Sequence, residues 1–176
     1  MDKLEKQPCP VCHKHELTLS ETETEVPYFG KVFIFGMECS ACGFRKFDID
    51  PAEEKEPAKY SLEVKDTKDL NVRVVKSSNA TVKFPEFKIT IEPGVNSEGF
   101  VANVEKLIND AYAIVKFIKE NEEDSIKRKK AWKLMDEILD VKEGKRTVTL
   151  IIEDPTGASA IISEKAKKES LKKKKK

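Results

Sequence analysis

The chain has 176 residues, of which 39% are hydrophobic, so it can bury the core of one domain or of one domain with a small module. No apolar run approaches membrane-spanning length, and the charged first residues lack the apolar stretch of a signal peptide. We therefore expect a cytoplasmic protein with no membrane contact. The net charge of +1 hides an uneven distribution, because residues 163–176 contain eight lysines and two glutamates while the rest is mildly acidic.

Four cysteines form two C-x-x-C pairs, and the chain contains no others. They are Cys9, Cys12, Cys39 and Cys42. Two such pairs supply all the ligands of a structural zinc ribbon with one Zn²⁺ per chain and no open position for a catalytic water. His13 and His15 are then expected to be exposed neighbours, and Gly43 to close the second turn in a left-handed conformation. Two disulfides, a redox-active C-x-x-C and an iron–sulfur cluster are the less favoured alternatives.

The predicted zinc ribbon covers residues 1–50. Alternating residues predict two strands between the cysteine pairs, joined by an aromatic turn that contains Tyr28 and Phe29. Because a ribbon has little interior, these rings either pack within it or stay on the surface to bind a partner. An acidic, proline-bounded linker over 51–58 ends the module.

Residues 59–163 are predicted to form a mainly β domain with a helical hairpin inserted at about 98–141. Short segments rich in β-branched and aromatic residues lie on both sides of the hairpin. Within it, apolar residues recur at steps of three and four, which predicts two antiparallel helices. Ser97 is the expected N-cap of the first helix, and Trp132 is expected to be buried on the inner face of the second.

Three further segments each allow two interpretations. Arg73 and Lys76 lie in a predicted strand, either as solvated charges or as part of a recognition strand. Residues 154–157, with the sequence Asp-Pro-Thr-Gly, have the chemistry of a β-turn, with ligand contact as the alternative. Residues 164–176 are expected to be a disordered Lys-rich tail, either a solvated extension or a weak, salt-sensitive contact for RNA or ribosomes.

An ordered set of motifs resembles the ZPR-one zinc finger family. These motifs are the two cysteine pairs, Val26-Pro27-Tyr28-Phe29, Leu70-Asn71-Val72-Arg73-Val74-Val75-Lys76-Ser77, Phe84-Pro85-Glu86-Phe87 and the run from Val148 to Ser159. The resemblance implies a zinc ribbon followed by a jelly-roll-like double-stranded β-helix that carries a helical hairpin. Eukaryotic members have two such modules in tandem, so one module implies the single-module form found in archaea.

The resemblance also implies a partner, because eukaryotic members bind translation elongation factor 1-alpha and assist its folding. It predicts a zinc-binding adaptor or chaperone that contacts this factor through Tyr28, Phe29, Arg73 and Lys76. The alternative is a nucleic-acid-binding zinc ribbon of the translation or transcription apparatus. The sequence has no phosphate-binding loop, nucleophile elbow or dinucleotide fingerprint, which argues against an enzyme and against a small-molecule substrate.

Overall fold

A computed structural model describes residues 2–27 and 29–171. This described part contains twelve strands and two α-helices. The strands are β1 (Asp2–Gln7), β2 (Leu17–Val26), β3 (Gly30–Cys39), β4 (Arg45–Pro51), β5 (Ala58–Val64), β6 (Arg73–Lys76), β7 (Thr81–Phe84), β8 (Ile89–Ile91), β9 (Phe100–Asn103), β10 (Val148–Asp154), β11 (Ala160–Ile162) and β12 (Lys167–Ser170). The helices are α1 (Val104–Asn121) and α2 (Ser125–Lys142).

The N-terminal module is an antiparallel sheet in the order β1-β2-β3-β4. Strands β2 and β3 form the predicted hairpin, in register from Leu17 opposite Cys39 to Val26 opposite Gly30. Strand β1 was not predicted, because its sequence is almost entirely charged or polar and has no apolar face to signal a strand. It joins the sheet through backbone pairing with β2.

The second module is the predicted mainly β domain, built from a five-stranded and a three-stranded sheet. The strand orders are β12-β5-β10-β7-β8 and β11-β6-β9. Strand β10 buries Val148, Leu150, Ile152 and Asp154 on alternate positions, because successive side chains of a strand point to opposite faces. Its apolar side chains pack with the inner faces of both helices in the main core.

The helical hairpin begins six residues later than the sequence predicted. Residues 100–103 form β9, in which Val101 lies opposite Val75 of β6, and Asn103 rather than Ser97 is the N-cap of α1. Helical spacing had placed Val101 on the helix, but pairing with β6 determines its conformation instead. No helix in the described part of the chain is long and apolar enough to cross a membrane.

The prediction that Trp132 is buried is wrong, because 58% of this residue is exposed. Helix α2 instead buries Ala131, Met135, Ile138 and Val141, which recur at steps of four, three and three. These residues define the inner face, and Trp132 lies one position outside it.

The linker does not separate two independent cores, because the two modules share a buried cluster. The far end of the ribbon sheet, with Val32 and Ile49, packs with Val75 and Ala160 of the second module in one cluster. Polar contacts reinforce this junction, since the carboxylate of Asp48 accepts hydrogen bonds from the Ser78 hydroxyl at 2.6 Å and from its backbone N–H at 3.2 Å.

Gly99 and Gly157 both permit close backbone approach where the two modules meet. A Cβ atom on Gly99 would lie 2.7 Å from the backbone nitrogen of Ile49. At the predicted turn over residues 154–157, Gly157 has φ +73° and a Cβ atom there would lie 2.5 Å from the Glu56 carbonyl oxygen of the linker.

Part of the predicted disordered tail is ordered. Strand β12 pairs with the edge of β5, and Lys59 and Glu169 form an ion pair at 3.0 Å across the two strands. The backbone N–H of Leu171 then donates to the Pro57 carbonyl. Charge had suggested disorder, but backbone pairing to an open sheet edge requires no apolar side chains. The rest of the predicted tail, residues 172–176, lies outside the described residues.

Candidate metal centre and partner surface

The two cysteine pairs fold into two turns with the same backbone pattern. The N–H of His13 donates to the Cys9 carbonyl at 2.9 Å, and the N–H of Gly43 donates to the Cys39 carbonyl at 3.0 Å. Both donors have left-handed backbone, with φ of +60° for His13 and +74° for Gly43. The prediction for Gly43 is confirmed, and the first turn places a histidine in the same conformation.

These turns bring all four sulfur atoms within 4.8 Å of one another. Cys9 Sγ lies 3.8 Å from Cys42 Sγ, and Cys12 Sγ lies 3.7 Å from Cys39 Sγ. A tetrahedral Zn²⁺ at ~2.3 Å from each ligand would separate its sulfurs by ~3.8 Å. A disulfide would need ~2.0 Å between bonded sulfurs, so the spacing fits one four-coordinate ion.

The surroundings of the sulfurs show why a cation is needed. Burial opposes ionisation of Cys9, but hydrogen bonds from the backbone of Cys12 and Val11 outweigh it and lower the pKa of Cys9 to about 7. The Phe44 backbone favours the Cys42 thiolate, yet desolvation and the neighbouring sulfurs raise the pKa of Cys42 to about 12. Four thiolates at this spacing therefore require a bound cation to coexist.

The end of the ribbon that carries the four cysteines buries very little apolar surface. Its buried cluster contains only Cys9, Leu17 and Cys39, with Leu19 and Phe44 packed against it. Such a small core cannot order two turns by itself, so metal binding supplies the stability. Among the described residues, this is the one group of three or more His, Cys, Asp or Glu side chains arranged to hold a metal ion.

Comparison with known proteins identifies both modules. The ZPR1 zinc-finger domain matches residues 3–57, and the ZPR1 jelly-roll domain matches residues 68–176. The chain belongs to the ZPR1 family. Zinc is therefore the metal of the four-cysteine site, and the second module is a jelly roll carrying a helical hairpin.

Archaeal relatives of this ZPR1 family member match nearly the whole chain. A ZPR1-like protein of Methanocaldococcus jannaschii is 41% identical over 172 residues, covering 97% of this chain and 87% of the relative. One from Pyrococcus horikoshii is 39% identical, covering 93% of this chain and 75% of the relative.

Eukaryotic relatives are longer. The zinc finger chaperone zpr1 of Schizosaccharomyces pombe is 28% identical over 160 residues, which cover 86% of this chain but 34% of the relative. The chain therefore corresponds to a single module of the family and spans about one third of that chaperone's length.

The four residues proposed from the sequence to bind a partner do not form one exposed set. Phe29 is buried, with the Lys55 ammonium 3.7 Å from its ring centroid. Lys76 is buried too, and its Nζ donates to the carbonyl oxygens of Ser77 at 3.0 Å and Glu98 at 3.3 Å. Arg73 is exposed at the start of β6. Tyr28 lies outside the described residues.

The burial of Phe29 and Lys76 favours a structural role for both over a direct contact with a partner. Phe29 belongs to the cluster shared by the two modules. Lys76 and Arg73 are three positions apart in one strand, so their side chains point to opposite faces. Desolvation lowers the pKa of Lys76, and the nearby carboxylates of Asp154 and Asp48 oppose that shift.

The structure adds a cavity of about 540 Å³ at the junction, which we call the junction cavity. It is lined by Phe29, Lys55, Tyr60, Ala160, Ile161, Ile162, Ser163, Glu164 and Lys168. Burial, and then repulsion from Lys168, lower the pKa of Lys55. Arg73 is the register partner of Ile162, which places it on the strand next to the cavity wall.

No local sequence signal could have identified this cavity. Its lining comes from the ribbon turn, the linker, β5, β11 and β12, which only the tertiary fold brings together. Lys55 lies in the predicted linker, and Lys168 lies in the predicted disordered tail. The cavity combines apolar side chains with Lys55, Lys168, Ser163 and Glu164, so it can accept a group that has both an apolar and a charged part.

Proposed function

We propose that this protein is a zinc-binding adaptor or chaperone of the cytoplasm whose client is translation elongation factor 1-alpha. The family's eukaryotic members include a protein named as a zinc finger chaperone, which supports protein binding rather than catalysis. The factor itself is inferred from the resemblance of the sequence motifs to that family.

The observation that carries the proposal is the junction cavity. Ribbon and jelly roll share a buried cluster, and Phe29 and Ala160 belong both to that cluster and to the cavity lining. Lys55 and Lys168 line it together with Glu164, and Arg73 lies on the adjacent strand, so cations outnumber carboxylates around the apolar side chains. We infer that it accepts a client segment with an acidic residue beside an apolar one.

The proposal also assigns roles to the residues suggested by the sequence. Phe29 forms a wall of the cavity, and Arg73 makes a direct ionic contact with the client. Lys76 positions the segment before α1 through its hydrogen bonds to Ser97 and Glu98 and makes no client contact. Tyr28 remains a candidate contact on sequence grounds.

The nucleic-acid-binding zinc ribbon has less support as an alternative. Residues 2–51, which form the ribbon, contain nine acidic and six basic side chains, and a zinc site with four thiolates adds negative charge. A ribbon that binds phosphates needs a basic face.

The test is calorimetric titration of purified elongation factor 1-alpha into the full-length, zinc-loaded protein. Arg73→Glu and Lys168→Glu should each weaken binding by about tenfold or more without changing the melting temperature, because both side chains are exposed. The charge-matched control is Lys14→Glu, an exposed ribbon lysine outside the cavity, which should have no effect.

Two results would contradict the proposal. If wild-type protein shows no heat of binding to the factor in any nucleotide state, the client is wrong. If binding is unchanged in both cavity variants, the contact surface is wrong. Tyr28→Ala, titrated in parallel, tests whether that residue belongs to the same surface.

A further inference from the structure

Trp132 is a large aromatic side chain that the fold leaves in solvent. It is the single tryptophan of the chain and is 58% exposed on α2. In the described structure, its cation–π neighbour is Lys119 of α1, whose Nζ lies 4.8 Å from the ring centroid. An indole left this open has a face available for another planar group.

The surroundings of Trp132 are strongly basic. Lys119, Arg128, Lys129 and Trp132 together line a surface groove of about 390 Å³, which we call the hairpin groove. The first half of α2, residues 125–133, contains five basic side chains and no acidic one.

These cations have few partners of their own. Of the five basic side chains in residues 125–133, Lys133 is the one with a carboxylate within ion-pair distance in the described part of the chain, at 3.9 Å from Glu137. Arg128 donates to the backbone carbonyl of Glu122 at 3.4 Å, which leaves its charge uncompensated.

Two of the three acidic residues in the connection between the helices are engaged locally. Asp124 Oδ1 accepts hydrogen bonds from the backbone N–H groups of Ile126 and Lys127 and caps α2, and Glu122 Oε1 accepts from the backbone N–H of Asp124. They therefore do not neutralise the hairpin groove by direct pairing.

An open indole face bordered by unpaired cations suits a ligand that offers planar rings and regularly spaced anions together. Single-stranded nucleic acids have this chemistry, since bases stack on aromatic side chains while phosphates contact Lys and Arg. An acidic peptide would satisfy the charges but does not present an aromatic ring beside each anion, as a nucleic acid does.

We propose that the hairpin groove binds single-stranded nucleic acid, with a base stacked on Trp132 and the adjacent phosphates beside Lys119, Arg128 and Lys129. This site lies on other elements than the junction cavity, so it is independent of the proposed client binding. It assigns the helical hairpin a role separate from that of the zinc ribbon.

The test uses the intrinsic fluorescence of Trp132, which reports on this groove alone because the chain has one tryptophan. An unlabelled oligouridylate titrated into the full-length protein should quench the emission, since stacking places a base against the indole. Polyphosphate and poly-glutamate, which carry charge without bases, should leave it largely unchanged. Three phosphate contacts predict that log Kobs falls against log salt with a slope of about −2.

Anisotropy of a labelled oligonucleotide then measures the variants. Trp132→Ala should weaken binding roughly 5- to 100-fold, the range expected for the loss of one stacked base, whereas Trp132→Tyr should retain most of the affinity. Arg128→Glu/Lys129→Glu should abolish binding. The charge-matched control is Lys3→Glu/Lys14→Glu, two exposed lysines of the ribbon, which should bind like wild type.

Each alternative has its own result, and each would overturn the proposal. Equal quenching by poly-glutamate would indicate an unselective polyanion surface. A blue shift with anionic phosphatidylserine vesicles and no response to oligonucleotide would indicate membrane contact. If Arg128→Glu/Lys129→Glu binds like wild type while Lys3→Glu/Lys14→Glu loses binding, the site is on the ribbon. If that groove variant binds like wild type while removal of residues 172–176 abolishes binding, the site is at the C-terminus.

Discussion

The two ends of the zinc ribbon are built on the same sheet but are stabilised in different ways. At the metal end, the buried residues are Cys9, Leu17 and Cys39, and two of these three are metal ligands. At the other end, Val26, Phe29, Val32 and Ile49 are buried together with Val75 and Ala160 of the jelly roll. One end therefore depends on an ion and the other on a neighbouring module, and neither is independently stable.

The largest expected effect is at the metal end. Cys39→Ser removes one ligand and should release zinc, because structural zinc supplies about 10–16 kcal/mol of apparent binding free energy in small zinc modules. Hydrogen exchange should lose protection at the N–H groups of Ser40 and Gly43, while Val32 and Ile49 stay protected by the shared cluster.

The matched control for this change is His15→Ala. Histidine is also a common zinc ligand, and His15 lies close to the first cysteine pair in the sequence. This variant should retain one zinc per chain by elemental analysis, because the four thiolates complete the tetrahedral shell. Zinc retention in Cys39→Ser, or zinc loss in His15→Ala, would mean that the ligand set is wrong. Loss of protection at Ile49 in Cys39→Ser would show that the two ends are not distinct.

The second effect is at the packed end. Ile49→Ala leaves a cavity in the shared cluster and should destabilise the protein by about 2–5 kcal/mol. Because the cluster includes both modules, thermal unfolding should remain a single transition shifted as a whole. Leu4→Ala, at a residue 63% exposed in the same ribbon sheet, is the control and should change little. Two separate unfolding transitions in Ile49→Ala would mean that the two modules unfold independently.

This difference between the ends also explains what the sequence could predict. The two C-x-x-C pairs predicted the metal site because their chemistry is local, and the alternation in β2, β3 and β10 predicted strands because period two is visible in the residues themselves. The shared cluster, strand β12 and the junction cavity depend on segments far apart in sequence. The sequence around Phe29 does not predict that Lys55 and the jelly roll cover its ring.

The buried face of α2 was predicted incorrectly at Trp132 for a related reason. Apolar spacing predicted correctly that α2 has an inner face, which contains Met135 and Ile138. The predicted inner face included Trp132, whereas the structure buries Ala131 and leaves the indole outside. The identity of a buried residue is set by the packing partner, which the sequence does not show.

A third, smaller effect distinguishes acid sensitivity in the jelly roll from acid release of zinc. Asp69 is buried, which opposes ionisation, but hydrogen bonds from Lys165 and from the backbone of Lys65 and Asp66 outweigh burial and hold the pKa of Asp69 below its ordinary value. This lowered pKa contributes stability that is fully present above the unfolded value of ~4 and is lost as the pH falls through the folded value.

Asp69→Asn should therefore lower stability at neutral pH by about 1–3 kcal/mol and flatten the loss of stability below about pH 4. Urea unfolding of wild type and variant between pH 3 and pH 7 measures both. The control Lys65→Ala keeps the backbone donor to Asp69 and removes only an exposed side chain. If Asp69→Asn loses stability below about pH 4 as steeply as wild type, the acid sensitivity comes from zinc release from the ribbon instead.

The smallest expected effect is the most direct test of which helix face is buried. A buried tryptophan cut to alanine typically costs about 3–5 kcal/mol, so a buried Trp132 would lower the melting temperature by several degrees. Because 58% of Trp132 is exposed, we expect Trp132→Ala to change the melting temperature by less than about 2 °C. Ile138→Ala, six positions further along α2 at a fully buried site, should instead cost about 2–5 kcal/mol. A large loss of stability in Trp132→Ala would place the indole inside the fold and contradict the hairpin groove. If Trp132→Ala leaves the melting temperature unchanged while Ile138→Ala strongly lowers stability, the indole is free to contact a ligand.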